Sequence, residues 1–464
     1  MAGVVLSDGA ACWAARINFA RLQVHSILNR VPEGCYQLSW RIPKHEKAHI
    51  ACATHPGLGF RTIMKALVYH RSIPRYLLSA FCNKIQRKRF HHLVTPLKLS
   101  EIPFKPARPG WVTIKTRLCG ICGSDINLLK GAESMLLEPY ASLPMVLGHE
   151  IVGVVETAPE GSSLRAGQRV VVEPVLDCAC RELPPCRFCA KGEYNLCENF
   201  LDGALPPGSF LGFNQAASGG MAEYTAGHSS KVLPVPDGLS DEDAVLVDSM
   251  ASVMQPILEN FPEPGDTVLV YGAGVLGQHA LRCLRALGFA GRLVAVARHR
   301  FQADLARAGG ADEVLRSPTR RDLAKALGGR FIPTSMGGGN VEGGADAIFD
   351  CVASSRTVQE ALLALRARGR YVMIGTAGEL GGVDFSSLWF RQLRVTGSAS
   401  YAMASWNGER VRTYQLCLDL LTSGRYPSAG LLSGLFRIDD WKEAFQSVFD
   451  KAGSGAMKAA FDFR

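Results

Sequence analysis

No window of about 18 uninterrupted apolar residues occurs in this 464-residue chain, which argues against a membrane-spanning helix. It also lacks the charged-then-apolar start of a secreted protein, so its 14 cysteines read as intracellular thiols rather than a disulfide framework. Acidic residues are scarce at the front. Residues 1–110 hold 17 Lys and Arg against 4 Asp and Glu, whereas the remainder holds 34 against 38. The overall charge of +9 therefore belongs to the first quarter and says little about the chemistry behind it. Aromatic and basic residues do not interleave in the manner of a single-strand-binding surface, so no nucleic-acid partner is expected. A soluble, cytoplasmic protein with no membrane partner is the expectation. With 47% hydrophobic residues, the chain can bury a large core and is too long for just one, which suggests two or three domains.

Residues 1–63 show no strand or helix series that joins the rest of the chain, and read as a poorly ordered extension or the product of an upstream start codon. MKALVYH, from Met64, has the pattern of a first strand. In RYLLSAFCNKIQRKRFHH, residues 75–92, Leu77, Leu78, Phe81 and Ile85 recur at helical spacing against a basic opposite face. The simplest expectation there is a solvated helix laid on the domain; a surface for membrane, acidic partner or nucleic acid is the sharper alternative.

The densest chemistry lies in CGICGSDINLLKG (residues 119–131) and LGHEIVGVV (residues 147–155). A thiolate at Cys122 and an imidazole at His149 are ligands of the kind zinc selects, and two such ligands plus one carboxylate leave a fourth position open for catalysis. The hydroxyl of Ser124, two residues on, is placed to take a proton from a ligand at that position. Gly120, Gly123 and Gly148 allow the backbone close to a crowded site. Taken singly, the Cys and the His are more simply core residues.

Five cysteines fall between Cys178 and Cys197. Cys186 and Cys189 form a C-x2-C knuckle and Cys197 follows after seven residues. Four thiolates close a tetrahedron with no room for substrate, which is the pattern of a structural zinc. The fourth thiolate is Cys178 or Cys180. Further on, DTVLVYGAGVLGQHALRCLRALG places a β-branched strand before Gly272, Gly274 and Gly277 and a helical pattern after them. That order suits a dinucleotide fold, with Val275 and Leu276 opening the helix under a pyrophosphate. Strand patterns at 347–351, 370–375 and 393–397 continue a doubly wound sheet, ALLALRARG is expected to be a helix, and FIPTSMGGGNVEGG a mobile surface loop.

In this order, ICGSD, GHE, the cysteine lobe and the glycine loop resemble the zinc-containing medium-chain alcohol and polyol dehydrogenases, from about Met64 to Arg464. The resemblance implies an α/β fold: a β-rich GroES-like catalytic domain over 64–247, a doubly wound parallel Rossmann domain over 248–397, and a return to the first over 398–464. It implies two zinc ions per chain, one catalytic and one structural, an NAD(P) cofactor, a secondary or polyhydroxylated alcohol as substrate, and a homodimer or homotetramer. It also favours Cys178 over Cys180, because EPVLDC matches the lead-in to that ligand while Leu183 stands where the ligand usually falls. Asp248, followed by Ser249, occupies the place of a metal-joining Glu before Pro, and Glu150 is an alternative ligand. Asn127 stands where a His often ends the proton relay, so Ser124 is expected to use the nicotinamide ribose instead. Where NAD-binding relatives carry an acidic residue after the second strand, this chain has Ala297 followed by Arg298 and Arg300, whose guanidinium forks suit a 2′-phosphate and favour NADP. Two rivals remain in view: a binding or structural protein on the same fold, and a zinc-free double-bond reductase.

Overall fold

The structure, a computed structural model, describes residues 63–464 except 105, 106 and 377; the expected extension lies almost wholly outside them. Period-2 apolar patterning builds the first half. Trp111–Gly120 is the spine of a seven-stranded sheet, because nearly all of its length is buried on both faces. Its antiparallel partners are Glu150–Thr157 and Tyr224–His228. Beyond Glu150–Thr157 lie Arg169–Val172 and Val232–Pro234. The chain's last strand, Lys458–Asp462, closes the other side antiparallel to Trp111–Gly120 and carries Leu432–Phe436 outside it. A smaller sheet joins Ile63–Tyr69 to Leu97–Pro103 and Met145–Val146.

The second half is a six-stranded parallel sheet. Its order across the sheet is Glu313–Arg316, Arg292–Ala297, Thr267–Tyr271, Ala345–Asp350, Leu365–Met373, Arg394–Gly397. Counted along the chain, this is order 3-2-1-4-5-6, and the order reverses beside Thr267–Tyr271. That reversal opens a crevice at the carboxyl end of the strand, where Gly272 begins its turn at φ +93°. Helices Val247–Glu259 and Val275–Ala286 pack together on one face, with Val253, Met254, Ile257, Ala280 and Leu284 fully or almost fully buried between them and the sheet. Leu323, Leu362 and Leu365 fill the other face.

Three local expectations are corrected. ALLALRARG is helical only to Ala364; Leu365 begins a strand, because Arg368 at φ 61° and Gly369 cannot continue a helix. The segment expected as a loop is a hairpin, Arg330–Pro333 against Gly339–Glu342, turned by Gly337 and Gly338 at positive φ and anchored by the buried Val341. The basic segment is helical only over Ile73–Ile85, and its apolar side faces outward: Ile73, Leu77, Leu78, Phe81 and Ile85 are exposed while Ser79 and Asn83 are buried. Helix Gly123–Lys130 sets this orientation by coming too close for large side chains. At Gly131, a Cβ would meet Ala80 at 2.9 Å and the Tyr76 carbonyl at 2.9 Å.

Candidate functional site

The turn after Trp111–Gly120 delivers Cys122 as the N-cap of helix Gly123–Lys130. Its backbone N–H donates to Asp125 Oδ2 at 2.9 Å, completing a capping box that fixes the direction of the thiol. His149 sits just before strand Glu150–Thr157. The ligand atoms of Cys122, His149 and Glu150 all lie within 4.8 Å of one another, although 27 residues separate the first two in sequence. Gly120 and Gly148 permit this approach: a Cβ on Gly120 would fall 1.9 Å from Glu150 Oε2, and one on Gly148, at φ +94°, 2.5 Å from Cys119 Sγ. Gly123 has open space around it and exerts no such control.

The charge is one-sided. Asp125, Glu150 and Asp248 are buried beside the thiol, and Lys458, in ion contact with Glu150, is the buried cation facing them. The carboxyl of Asp248 is pushed up to about 6 by burial, against the pull of His149. Burial disfavours the His149 imidazolium, yet Cys122, Asp125 and Asp248 outweigh it and hold its pKa well above the ordinary value. His149 Nδ1, Glu150 Oε1 and the Ser124 hydroxyl are buried without hydrogen-bond partners, while Glu150 Oε2 faces the Lys458 ammonium. A convergent set of donors with excess negative charge and unused lone pairs is what a divalent cation satisfies.

Asp248 stands outside the convergent set. It accepts from the Tyr401 hydroxyl and lines the same cavity from helix Val247–Glu259. Asn127 is tied across to the parallel-sheet half, its Nδ2 donating to Thr376 Oγ1 at 3.2 Å.

In the lobe, the sulfurs of Cys178, Cys186, Cys189 and Cys197 lie within 4.8 Å of one another. Cys180 points away: its thiol bonds the Val175 carbonyl at 3.6 Å, and burial raises its pKa. Amide N–H groups aim at three of the four sulfurs, from Cys186 to Cys178 at 3.3 Å, from Cys189 to Cys186 at 3.5 Å and from Asn199 to Cys197 at 3.4 Å. Burial opposes ionisation of Cys186, but backbone donors from Glu198, Cys189 and Phe188 bring it down to about 6. Fully buried Arg181 holds the lobe shut by donating to the carbonyls of Leu176, Asp202 and Leu205.

One cavity of about 1370 Å³ joins these elements. Cys122, Ser124, His149, Glu150 and Asp248 line it, and so do Gly274, Val275 and Leu276 at the start of helix Val275–Ala286. At Gly277 a Cβ would lie 1.9 Å from the Gly272 carbonyl oxygen, while at Gly274 it would meet nothing within 4 Å. The first glycine closes the loop on its strand; the second leaves a surface free for a ligand. Arg298 and Arg300 are exposed just past Ala297, the last residue of strand Arg292–Ala297.

Two family models match this arrangement. The alcohol dehydrogenase GroES-like domain matches residues 108–237, and the zinc-binding dehydrogenase model matches residues 275–416. The chain belongs to the zinc-binding medium-chain dehydrogenases. An L-idonate 5-dehydrogenase of Vitis vinifera is 28% identical over 373 residues, 80% of this chain and 92% of its own length. A sorbitol dehydrogenase of Arabidopsis thaliana is 27% identical, covering 80% of this chain and 93% of its own. Among solved structures, a putative zinc-binding dehydrogenase of Sinorhizobium meliloti bound to NADP shares the fold, with a TM-score of 0.65 at 22% identity over 87% of this chain and 100% of its own.

Sequence reasoning missed four groups at this dehydrogenase's site: Tyr401, Lys451 and Lys458, which line the cavity, and Asp125, buried behind Cys122. Asp125 was findable, because an acid three residues after a capping position is a capping-box signature. Tyr401 and Lys458 carry no local signal; Tyr401 follows strand Arg394–Gly397 and Lys458 opens the closing strand Lys458–Asp462. Lys451 also lines the cavity, its pKa lowered to about 8 by burial and by Lys458 and Lys130.

Proposed function

We propose that this protein passes hydride between the carbinol carbon of a secondary or polyhydroxylated alcohol and C4 of a nicotinamide, as a zinc-dependent oxidoreductase. The observation that carries this reading is the single cavity in which Cys122, His149 and Glu150 converge opposite the glycine loop. Cys122, His149 and Glu150 would hold the catalytic zinc, with Asp248 joining through water; Cys178, Cys186, Cys189 and Cys197 would hold the structural one. A zinc ion supplies a Lewis acid that makes an alcohol acidic near neutrality. Ser124, with its hydroxyl unpartnered at the cavity wall, is placed to accept the alcohol proton as it gives up its own, for which a bound nicotinamide ribose would be the acceptor. Gly272, Gly274 and Gly277 seat the pyrophosphate against helix Val275–Ala286, while Val275 and Leu276 meet the cofactor. The two faces of the cavity thereby orient donor and acceptor before reaction, which lowers the entropic part of the barrier.

Two finer readings go with it. Arg298 and Arg300 favour NADP over NAD, because the carboxylate that would repel a 2′-phosphate is absent after Ala297. A homo-oligomer is supported by the open edge strand Arg394–Gly397, beside which Phe385, Trp389, Phe390 and Val395 are exposed. Metal analysis tests the core of the proposal: about two zinc ions per chain are expected, falling to about one in the Cys186→Ser, Cys189→Ser double variant. In parallel, Cys122→Ser should abolish NADP-linked alcohol oxidation. Unchanged zinc in the double variant would refute the lobe assignment.

A further inference from the structure

Helix Ile73–Ile85 turns its apolar stripe away from the protein. Ile73, Leu77, Leu78, Phe81 and Ile85 are 45–66% exposed. Beside it the short helix Met135–Tyr140 does the same with Met135, Leu136 and Leu137, Leu136 being 84% exposed. The two are fastened together beneath this face, since the Tyr76 hydroxyl donates to the Glu133 carbonyl at 3.3 Å. A continuous apolar surface of this kind on a folded domain marks an interaction site.

Its charge selects the occupant. From residue 47 to residue 100 the chain contains no Asp or Glu. Around the stripe of helix Ile73–Ile85 stand Arg71, Lys84, Arg87, Lys88 and Arg89, all exposed, against one exposed carboxylate, Glu138, in Met135–Tyr140. Lys88 reaches Asp450 at 3.4 Å, and among the described residues no carboxylate pairs with the other four. Large apolar side chains pointing outward, flanked by unneutralised cations, fit the boundary of an anionic bilayer: the stripe enters the acyl region while the cations meet phosphate headgroups.

The same face borders the cavity. Ile73, Leu77, Met135 and Leu137 line both the apolar surface and the cavity that Leu143, Phe213, Cys122 and Ser124 also line. We propose that the Ile73–Ile85 and Met135–Tyr140 segments dock on anionic lipid and set the cavity mouth against it, so that the alcohol taken in is an apolar one that partitions into the bilayer. The docking stands on the surface alone; the substrate clause rests on the proposed hydride transfer. It narrows the alcohol class to molecules whose hydrocarbon portion can lie along the apolar entrance.

Flotation of the full-length protein with vesicles separates the possibilities. With vesicles of phosphatidylcholine containing about 30% phosphatidylglycerol, binding should exceed that to pure phosphatidylcholine by about tenfold and fall as salt rises. Phe81→Glu should remove it, and Arg87→Glu with Arg89→Glu should reduce it to the level of neutral vesicles. Circular dichroism of each variant, unchanged from the wild type, establishes that these exposed positions leave the fold intact. No flotation at low salt, or flotation indifferent to Phe81→Glu, overturns the docking. So does light scattering that shows a dimer split by Phe81→Glu, because the face would then be covered by a second copy. For the substrate clause, kcat/KM over a series of secondary alkanols should rise with chain length; a maximum at the shortest member overturns it. An enzyme that floats but turns over no alcohol would refute the hydride-transfer reading and leave the docking standing.

Discussion

Cys122 illustrates what one residue's surroundings decide. Its thiol is aimed by the Asp125 capping contact, and the glycines at 120 and 148 clear the space into which Glu150 and Cys119 project. The ligand types and the two metal patterns were legible in the sequence, because C-x2-C spacing and a Cys followed later by Gly-His-Glu are local. That Glu150 converges with Cys122 and His149 while Asp248 stands apart was not, because it depends on Tyr401 and Lys458, which arrive from far along the chain. Arg298 is decided at this scale too. A guanidinium on a 2′-phosphate makes charge-assisted bonds of about 1.5–3 kcal/mol, a factor of about 10 to 100 in binding. Arg298→Ala should therefore raise KM for NADP by about tenfold or more while leaving KM for NAD within about twofold. Steady-state kinetics with both cofactors would check this, and equal effects would show that the residue is only a solvated surface charge.

Among the elements, the strand–loop–helix from Thr267 to Ala286 was read with its bounds nearly intact, since a β-branched run, three spaced glycines and an apolar helix all agree. Helix Ile73–Ile85 was found by its period, but the side it buries was inverted. Periodicity reports a stripe without saying what covers it. The hairpin at 330–342 was hidden by its glycines, which read as a loop although two of them only make its turn. The last two glycines of the dinucleotide loop allow a separation of fold from ligand. Gly277→Ala drives a methyl into the Gly272 carbonyl, an overpacking that costs about 1–3 kcal/mol, and should lower the melting temperature with or without cofactor. Gly274→Ala has open space and an ordinary φ of −72°, so its apoprotein should melt with the wild type while its affinity for NADPH, read by fluorescence titration, falls by about tenfold or more. A Gly274→Ala protein that binds normally would mean that the pyrophosphate does not lie on that turn.

Across the whole molecule, His279 is the joint at which separate helices meet. It is fully buried in Val275–Ala286; its Nε2 lies 3.0 Å from Ser249 Oγ of Val247–Glu259, and its Nδ1 lies 2.5 Å from the hydroxyl of Tyr426, just beyond helix Thr413–Thr422. Ser249 spends its own proton on the Leu246 carbonyl at 3.1 Å, so it accepts from Nε2–H and leaves Nδ1 to accept from Tyr426. This is the neutral ring. Burial, with Lys458 and Arg282 nearby, holds the His279 pKa well below its usual 6.5. The unfolded chain takes up a proton at about pH 6.5 and the folded chain does not, so the unfolded state binds more protons below that value. Stability contributed by this residue is therefore present above pH 6.5 and should decline by about 1.4 kcal/mol for each pH unit below it, down to the folded pKa. Urea unfolding of the wild type and of His279→Gln at a series of pH values from 7.5 to about 5 isolates the effect as a difference in slope. The variant should be less stable throughout, having lost a buried hydrogen bond, and flatter than the wild type below pH 6.5. Parallel curves would show that the imidazole becomes charged in place, and that the contact between these helices tolerates a cation at its centre.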